Sequence, residues 1–155
     1  MSRTMLVAAM LAVAAPALAQ KSAFGTAQEA KAMLEKVIAA VKADKAGALE
    51  KVKKGEVGFK DRDLYPFCFG MSDGKMVGHP KSSLLGTDVR TLKDKAGATY
   101  GQVNFDLVKG AKEGAIVESP PYMFPRPGDD PTPVKKVSFM AKVGDVGCGV
   151  GYYKP

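Results

Sequence analysis

Leu64–Pro80, LYPFCFGMSDGKMVGHP, is the stretch whose reading decides the fold. It is an aromatic run, then Ser-Asp-Gly-Lys, then a second short apolar run that ends at the only histidine of the chain. Side chains alternate across an extended strand. Tyr65, Phe67, Phe69 and Met71 therefore share one face, and Leu64, Pro66, Cys68 and Gly70 the other. Asp73-Gly74 offers the positive φ angles of a tight hairpin. The pattern predicts two antiparallel strands, roughly residues 64–71 and 75–79, at the centre of a small sheet. Pro66 has no amide hydrogen to give to a ladder, which leaves one side of the first strand open at its start.

The end of the chain carries a matching pattern. In Val146–Tyr153, Gly147, Gly149 and Gly151 alternate with Val146, Cys148, Val150 and Tyr152. Glycine weakens a strand, so three on one face imply that something bulky lies close against it. The two cysteines, in a chain read below as exported, suggest a Cys68–Cys148 disulfide; two free buried thiols are the alternative. A bridge would put both strands side by side with the sulfurs on a shared face. Phe67 and Phe69 would then share the opposite face with the glycines, where their rings could fill the space. Closing the 80-residue separation would stabilise the fold by about 4 kcal/mol in the chain-entropy model.

Upstream, Arg3, the apolar run Met5–Ala15 and Ala17-Leu18-Ala19 have the order of a secretory signal peptide, residues 1–19. An apolar run of about 11 residues is too short for a hydrocarbon core that needs about 20. Residues 20–155 are read as one domain in the periplasm or outside the cell. Thr26-Ala27-Gln28-Glu29 is a capping box, and Ala30, Met33, Leu34, Val37, Ile38 and Val41 follow at helical spacing to about Lys42. That stripe suits core packing or the seam of a homodimer. Asp44 can start a second, shorter helix that Gly55 stops. Downstream come a polar connector over 81–99 with a helical turn near Ser83–Leu85, and a short helix over Tyr100–Val108. A strand over Ala115–Met123 meets Pro120-Pro121, and a proline-dense hairpin loop, Pro125–Pro133, leads into the strand Val134–Val143.

Net charge is +7 as written, and +6 once Arg3 is removed with the signal. The lysines are scattered and no basic run alternates with aromatics, so no nucleic acid is expected as a partner. For an enzyme the ingredients are thin. The single histidine has no GxSxG elbow before it, Asp129-Asp130 read as turn formers, and no GxGxxG or P-loop occurs. One histidine and two cysteines fall short of the roughly four ligands of a structural zinc site, and no cofactor is implied.

Taken in order, Tyr65-Pro66-Phe67, Asp73-Gly74, Gly78-His79-Pro80, Leu85-Gly86, Asp94 to Gly97, the proline loop, Lys136 with Ser138-Phe139, and Gly151-Tyr152-Tyr153 resemble the Cache family of PAS-related extracytoplasmic sensor domains, in its single-domain form. The likeness spans roughly Thr26–Tyr153. It departs from the family in having no tryptophan, with Tyr122 or Phe124 filling one such place. It also lacks a second membrane helix and a signalling domain, so the chain is not expected to signal across a membrane by itself. The resemblance implies an α+β fold: a five-stranded, mainly antiparallel sheet, a long N-terminal helix on one face and short helices on the other. It implies a small-molecule binder, for an anionic ligand such as a carboxylate or amino acid, read by a membrane receptor or histidine kinase. The second reading is an envelope interaction domain whose pocket is filled by its own side chains.

Six residues are candidates for the ligand site. His79, at the mouth of the hairpin, is either structural or gives one pH-sensitive hydrogen bond. Lys136 faces away from Val137 and Phe139, toward solvent or, by the resemblance, into the pocket to pair with a carboxylate or phosphate. Arg126 could do the same from the proline loop. Tyr65, Tyr122 and Tyr152 could line a pocket and offer one hydroxyl each, with core packing the alternative for Tyr65.

Overall fold

The structure, a computed structural model, describes residues 22–154; the expected signal peptide, residues 1–19, lies outside the described residues. The first helix, α1 (Ala27–Ala43), opens on the expected box: Thr26 Oγ1 accepts from the Glu29 amide at 3.2 Å, and a Glu29 oxygen accepts from the Thr26 amide at 2.9 Å. The Asp44 side chain accepts from the Gly47 amide at 3.0 Å and so starts α2 (Lys45–Lys54). Gly55, at φ 60°, ends that helix in the left-handed conformation. The apolar stripe of α1, from Ala30 to Val41, is buried against the sheet. The face that could have formed a dimer seam is therefore covered by the same chain.

The sheet comprises β1 (Pro66–Gly70), β2 (Met76–Gly78), β3 (Val117–Glu118), β4 (Tyr122–Pro125), β5 (Pro133–Val143) and β6 (Val146–Tyr153). Its order is β2-β1-β6-β5-β3, with β4 also on β5, and every pairing is antiparallel. Two expectations change here. The β1–β2 hairpin is not central: β2 is a three-residue edge, and β6, zipped along its length to β5, holds the middle. The single strand expected over Ala115–Met123 is two, because Pro120 and Pro121 have no amide hydrogen to continue the ladder. β3 and β4 pair with successive stretches of one edge of β5, so six segments occupy five positions.

The hairpin turn also differs in detail. Gly74 alone takes positive φ, 72°, while Asp73 keeps an ordinary backbone and accepts from the Lys75 amide at 3.0 Å. Pro66 pairs with Val150 of β6 and has no β2 residue opposite it, which is the open side expected for it.

Cys68 lies directly opposite Cys148 and the two form a disulfide, with Cα atoms 4.1 Å apart. From that register the two faces of the sheet follow. Cys68, Ala141, Val143, Val146, Cys148 and Val150 pack under α1 and Ala48 of α2. Phe67, Phe69 and Met140 point the other way, to Met76, Val89 and the third helix, α3 (Tyr100–Gly110), through Phe105 and Val108. The connector between β2 and α3 holds two short 3₁₀ turns, Ser82–Leu84 and Val89–Thr91.

Candidate functional site

On the face away from α1 the three glycines of β6 make room for their neighbours. A Cβ on Gly147 would fall 2.7 Å from the Phe69 ring, and one on Gly149 2.6 Å from the Phe67 ring. At Gly151 it would meet Lys136 Cε at 2.2 Å. This last contact is the one that builds the site. Lys136 stands on β5, and only over a bare backbone at Gly151 can its chain cross β6 to reach Tyr65, beside β1.

There Lys136 is 2% exposed. Its Nζ donates to Tyr65 Oη at 2.9 Å and Tyr153 Oη at 3.3 Å. It lies 4.3 Å from the centre of the Tyr65 ring, 4.7 Å from that of Tyr153 and 4.9 Å from that of Phe124. No carboxylate among the described residues forms an ion pair with it. Burial pushes its pKa down to about 7, with the charge of Asp63 working against the shift. Asp63 itself is committed elsewhere: its buried carboxylate accepts from the Gly25 amide at 2.7 Å and from Arg126 Nη1.

His79 is 7% exposed and meets the Tyr65 ring edge-on, with centroids 5.3 Å apart. Its Nδ1 accepts from the Lys81 amide at 2.8 Å, which assigns the neutral ring's proton to Nε2. Burial first, and the Lys136 charge second, push its pKa down to about 4, so the ring is neutral near pH 7. Tyr122 Oη bonds Ser138 Oγ at 2.8 Å, and its ring stacks on Tyr100 at 4.5 Å. Burial pushes both phenols up, Tyr100 to about 12.

Tyr65, His79, Tyr122 and Lys136 line one inner cavity of about 40 Å³, together with Asn104 and Tyr100 of α3 and an apolar wall of Phe67, Met76, Leu84, Val89 and Leu92. It adjoins an outer cleft of about 720 Å³ and shares with it Tyr65, His79, Leu84, Leu92, Tyr100 and Phe124. The proline loop, including Arg126, forms one bank of the cleft, and Lys60, Lys81 and Lys93 add positive charge against Asp129 and Asp130. The Arg126 guanidinium is held over the rings of Phe24 at 3.8 Å and Tyr153 at 4.5 Å.

Four of the six candidate residues thus meet in the inner cavity and Arg126 stands at its approach. Tyr152 does not join them: it packs on the α1 face, its ring 5.6 Å from that of Phe139. Its neighbour Tyr153 is the phenol beside Lys136, and donates its own proton to the Pro125 carbonyl at 2.7 Å. Strand parity with Tyr65 was the signal for Tyr153. Asn104, on the buried stripe Gly101-Asn104-Phe105-Val108 of α3, was signalled only as a polar residue among apolar ones. Among the described residues no group of three His, Cys, Asp or Glu could hold a metal ion, and no helix is long and apolar enough to cross a membrane.

A curled antiparallel sheet with a long helix behind it, and a small cavity under short helices in front, is the architecture of a PAS-like sensor domain. The chain belongs to the Cache domain family, whose model matches residues 21–154. Solved structures share the fold. A methyl-accepting chemotaxis protein from Vibrio parahaemolyticus RIMD 2210633 is 22% identical, with a TM-score of 0.63 over 81% of this chain and 86% of that one. A periplasmic sensor domain of a chemotaxis protein is also 22% identical, with a TM-score of 0.61 over 83% and 90%. A Cache chemosensory domain described for carboxylic acid recognition is 25% identical, with a TM-score of 0.59 over 83% and 88%. No curated protein matches the sequence. Membership of the Cache family makes the chain a ligand-sensing type of module.

Proposed function

We propose that this domain binds a small carboxylate outside the cytoplasm, with Lys136 as the cation that receives it. The observation that carries this reading is the buried Lys136 Nζ, which faces two phenols and three rings but no carboxylate among the described residues. A buried charge without a partner is costly, and an anionic ligand would supply the missing one. Tyr65 and the Nε2–H of neutral His79 would donate to the same anion, while the basic bank of the cleft would draw it in. The carboxylic acid recognition described for the 25% identical Cache domain agrees with this choice of ligand. With the signal removed after Ala19, the domain would act as a binder rather than an enzyme, its ligand-dependent shape read by a membrane receptor or histidine kinase.

The test is isothermal titration of the purified domain against a panel of carboxylates and amino acids, repeated with Lys136→Met. Binding that vanishes in the variant supports the reading. Absence of binding across the panel would overturn it and favour the second reading, an interaction domain without a ligand. That alternative has one observation behind it: the inner cavity, about 40 Å³, is little more than one water's share of liquid volume.

A further inference from the structure

We propose that Asn104 reads a second polar group on the ligand, so that the cavity prefers a short carboxylate carrying a hydroxyl or keto oxygen over the plain alkyl acid of the same length. The inference rests on the carboxylate reading above and adds to it a residue and a ligand class.

Asn104 is 3% exposed and its side-chain amide forms no hydrogen bond among the described residues. The one fully enclosed side-chain nitrogen or oxygen without a partner there is Arg62 Nε, so the Asn104 amide is part of what stays accessible. Of the other polar side chains around the inner cavity, Lys136 donates to Tyr65 and Tyr122 bonds Ser138. An amide open to the cavity can pair with an entering ligand without first giving up a bond to the protein. Asn104 lies in the wall of the inner cavity. It comes from α3, whereas Lys136 comes from the sheet, so a ligand lying between them can meet both.

The size of that space selects short acids. About 40 Å³ is little more than one water's share of liquid volume, so even a short acid reaches the mouth shared with the outer cleft, and a longer chain would have to extend into that cleft. The amide selects oxygenated ones. Its NH₂ can donate to a keto or hydroxyl oxygen and its carbonyl can accept from a hydroxyl. A plain alkyl chain would leave both groups unpaired, and sites built to hydrogen-bond a substrate oxygen reject the analogue that lacks it.

Matched pairs test this by isothermal titration of the whole domain: glycolate against acetate, and lactate or pyruvate against propionate. The oxygenated member should bind about ten- to a hundredfold more tightly. Asn104→Leu and Asn104→Ala should bring each ratio to about one. Circular dichroism melts establish that each variant is folded, and the ratios in the unmodified protein need no variant at all. Equal affinities within each pair, or a preference that survives both substitutions, would overturn the role of Asn104 and leave the carboxylate reading standing. If neither kind of acid binds, both fall.

Discussion

The two faces of one sheet have been put to opposite uses. Under α1 the strands carry Cys68, Ala141, Val143, Val146, Cys148 and Val150, aliphatic or bridged groups that close against Leu34 and Val37 without a polar atom to satisfy. On the reverse of the same strands stand Phe67, Phe69, Ser138, Tyr153 and Lys136, interleaved with bare glycine backbone. The first face is filled; the second holds a charged amine and a cavity. Period-two alternation lets one strand serve both, since adjacent residues never compete for the same side. Stability can be concentrated on one face, which leaves the other free to keep an uncompensated cation.

The largest effect should come from the closed face. Replacing both Cys68 and Cys148 by alanine removes a cross-link over 80 residues, and should lower stability by about 4 kcal/mol in urea unfolding followed by circular dichroism. Carboxylate affinity in the folded fraction should hardly change, because the sulfurs face α1. A large loss of affinity in the folded variant would mean that the two faces are not independent.

The next effect reverses the sign. Lys136 titrates near pH 7 when folded and near 10.5 when unfolded, so between those values the unfolded chain binds more protons. Stability should therefore rise with pH from about 7 to about 9, by at most about 1.4 kcal/mol per unit, before the tyrosines begin to ionise in the unfolded chain. Tyr65, Tyr122 and Tyr153, all pushed up by burial, then work the other way. Lys136→Met should flatten this slope and leave the ligand-free protein more stable at pH 7 than the original. A slope unchanged by Lys136→Met would show that another group carries it. Neutral His79, near 4 folded against 6.5 unfolded, adds a separate loss of stability as pH falls through that interval.

How much of this contrast was legible in sequence depends on the kind of signal. The Thr26 box, the α1 stripe and the glycine alternation are local and periodic, and each gave its element or contact directly. The cysteines, 80 residues apart, suggested their contact because the chain has only two. Sheet order was not legible, because nothing in LYPFCFG records which flank of the β5–β6 hairpin, closed by the Gly144-Asp145 turn, β1 will join. Tyr152 was chosen as a candidate although its own alternation with Gly151 put it beside Cys148, and Tyr153 was passed over. Asp63 and Asn104 lie in segments without strand periodicity, and only the folded chain brings them near Lys136.

A smaller effect tests how Lys136 reaches its place. Gly151→Ala puts a methyl group where Lys136 Cε now lies, which should cost about 1–3 kcal/mol and weaken carboxylate binding in parallel. Adding Lys136→Ala to it should recover much of the stability and none of the binding. If Gly151→Ala leaves affinity unchanged, the lysine has another route to the cavity, and the bare backbone of β6 serves packing alone.

The finest comparison sets two adjacent phenols against each other. Tyr153 Oη donates to the Pro125 carbonyl and accepts from Lys136, so Tyr153→Phe removes both bonds and should cost about 1 kcal/mol. It should also lower carboxylate affinity, since Lys136 loses one of the groups that fix its position. Tyr152 presents its ring to Phe139 on the other face, and its hydroxyl has no hydrogen bond among the described residues. Tyr152→Phe should therefore stay within about 0.5 kcal/mol of the original and leave affinity untouched. The two substitutions fall on adjacent residues, so neither backbone position nor local sequence can account for a difference. Only the side of the sheet can, and equal effects on affinity would remove the reason for placing the ligand on the glycine-bearing side.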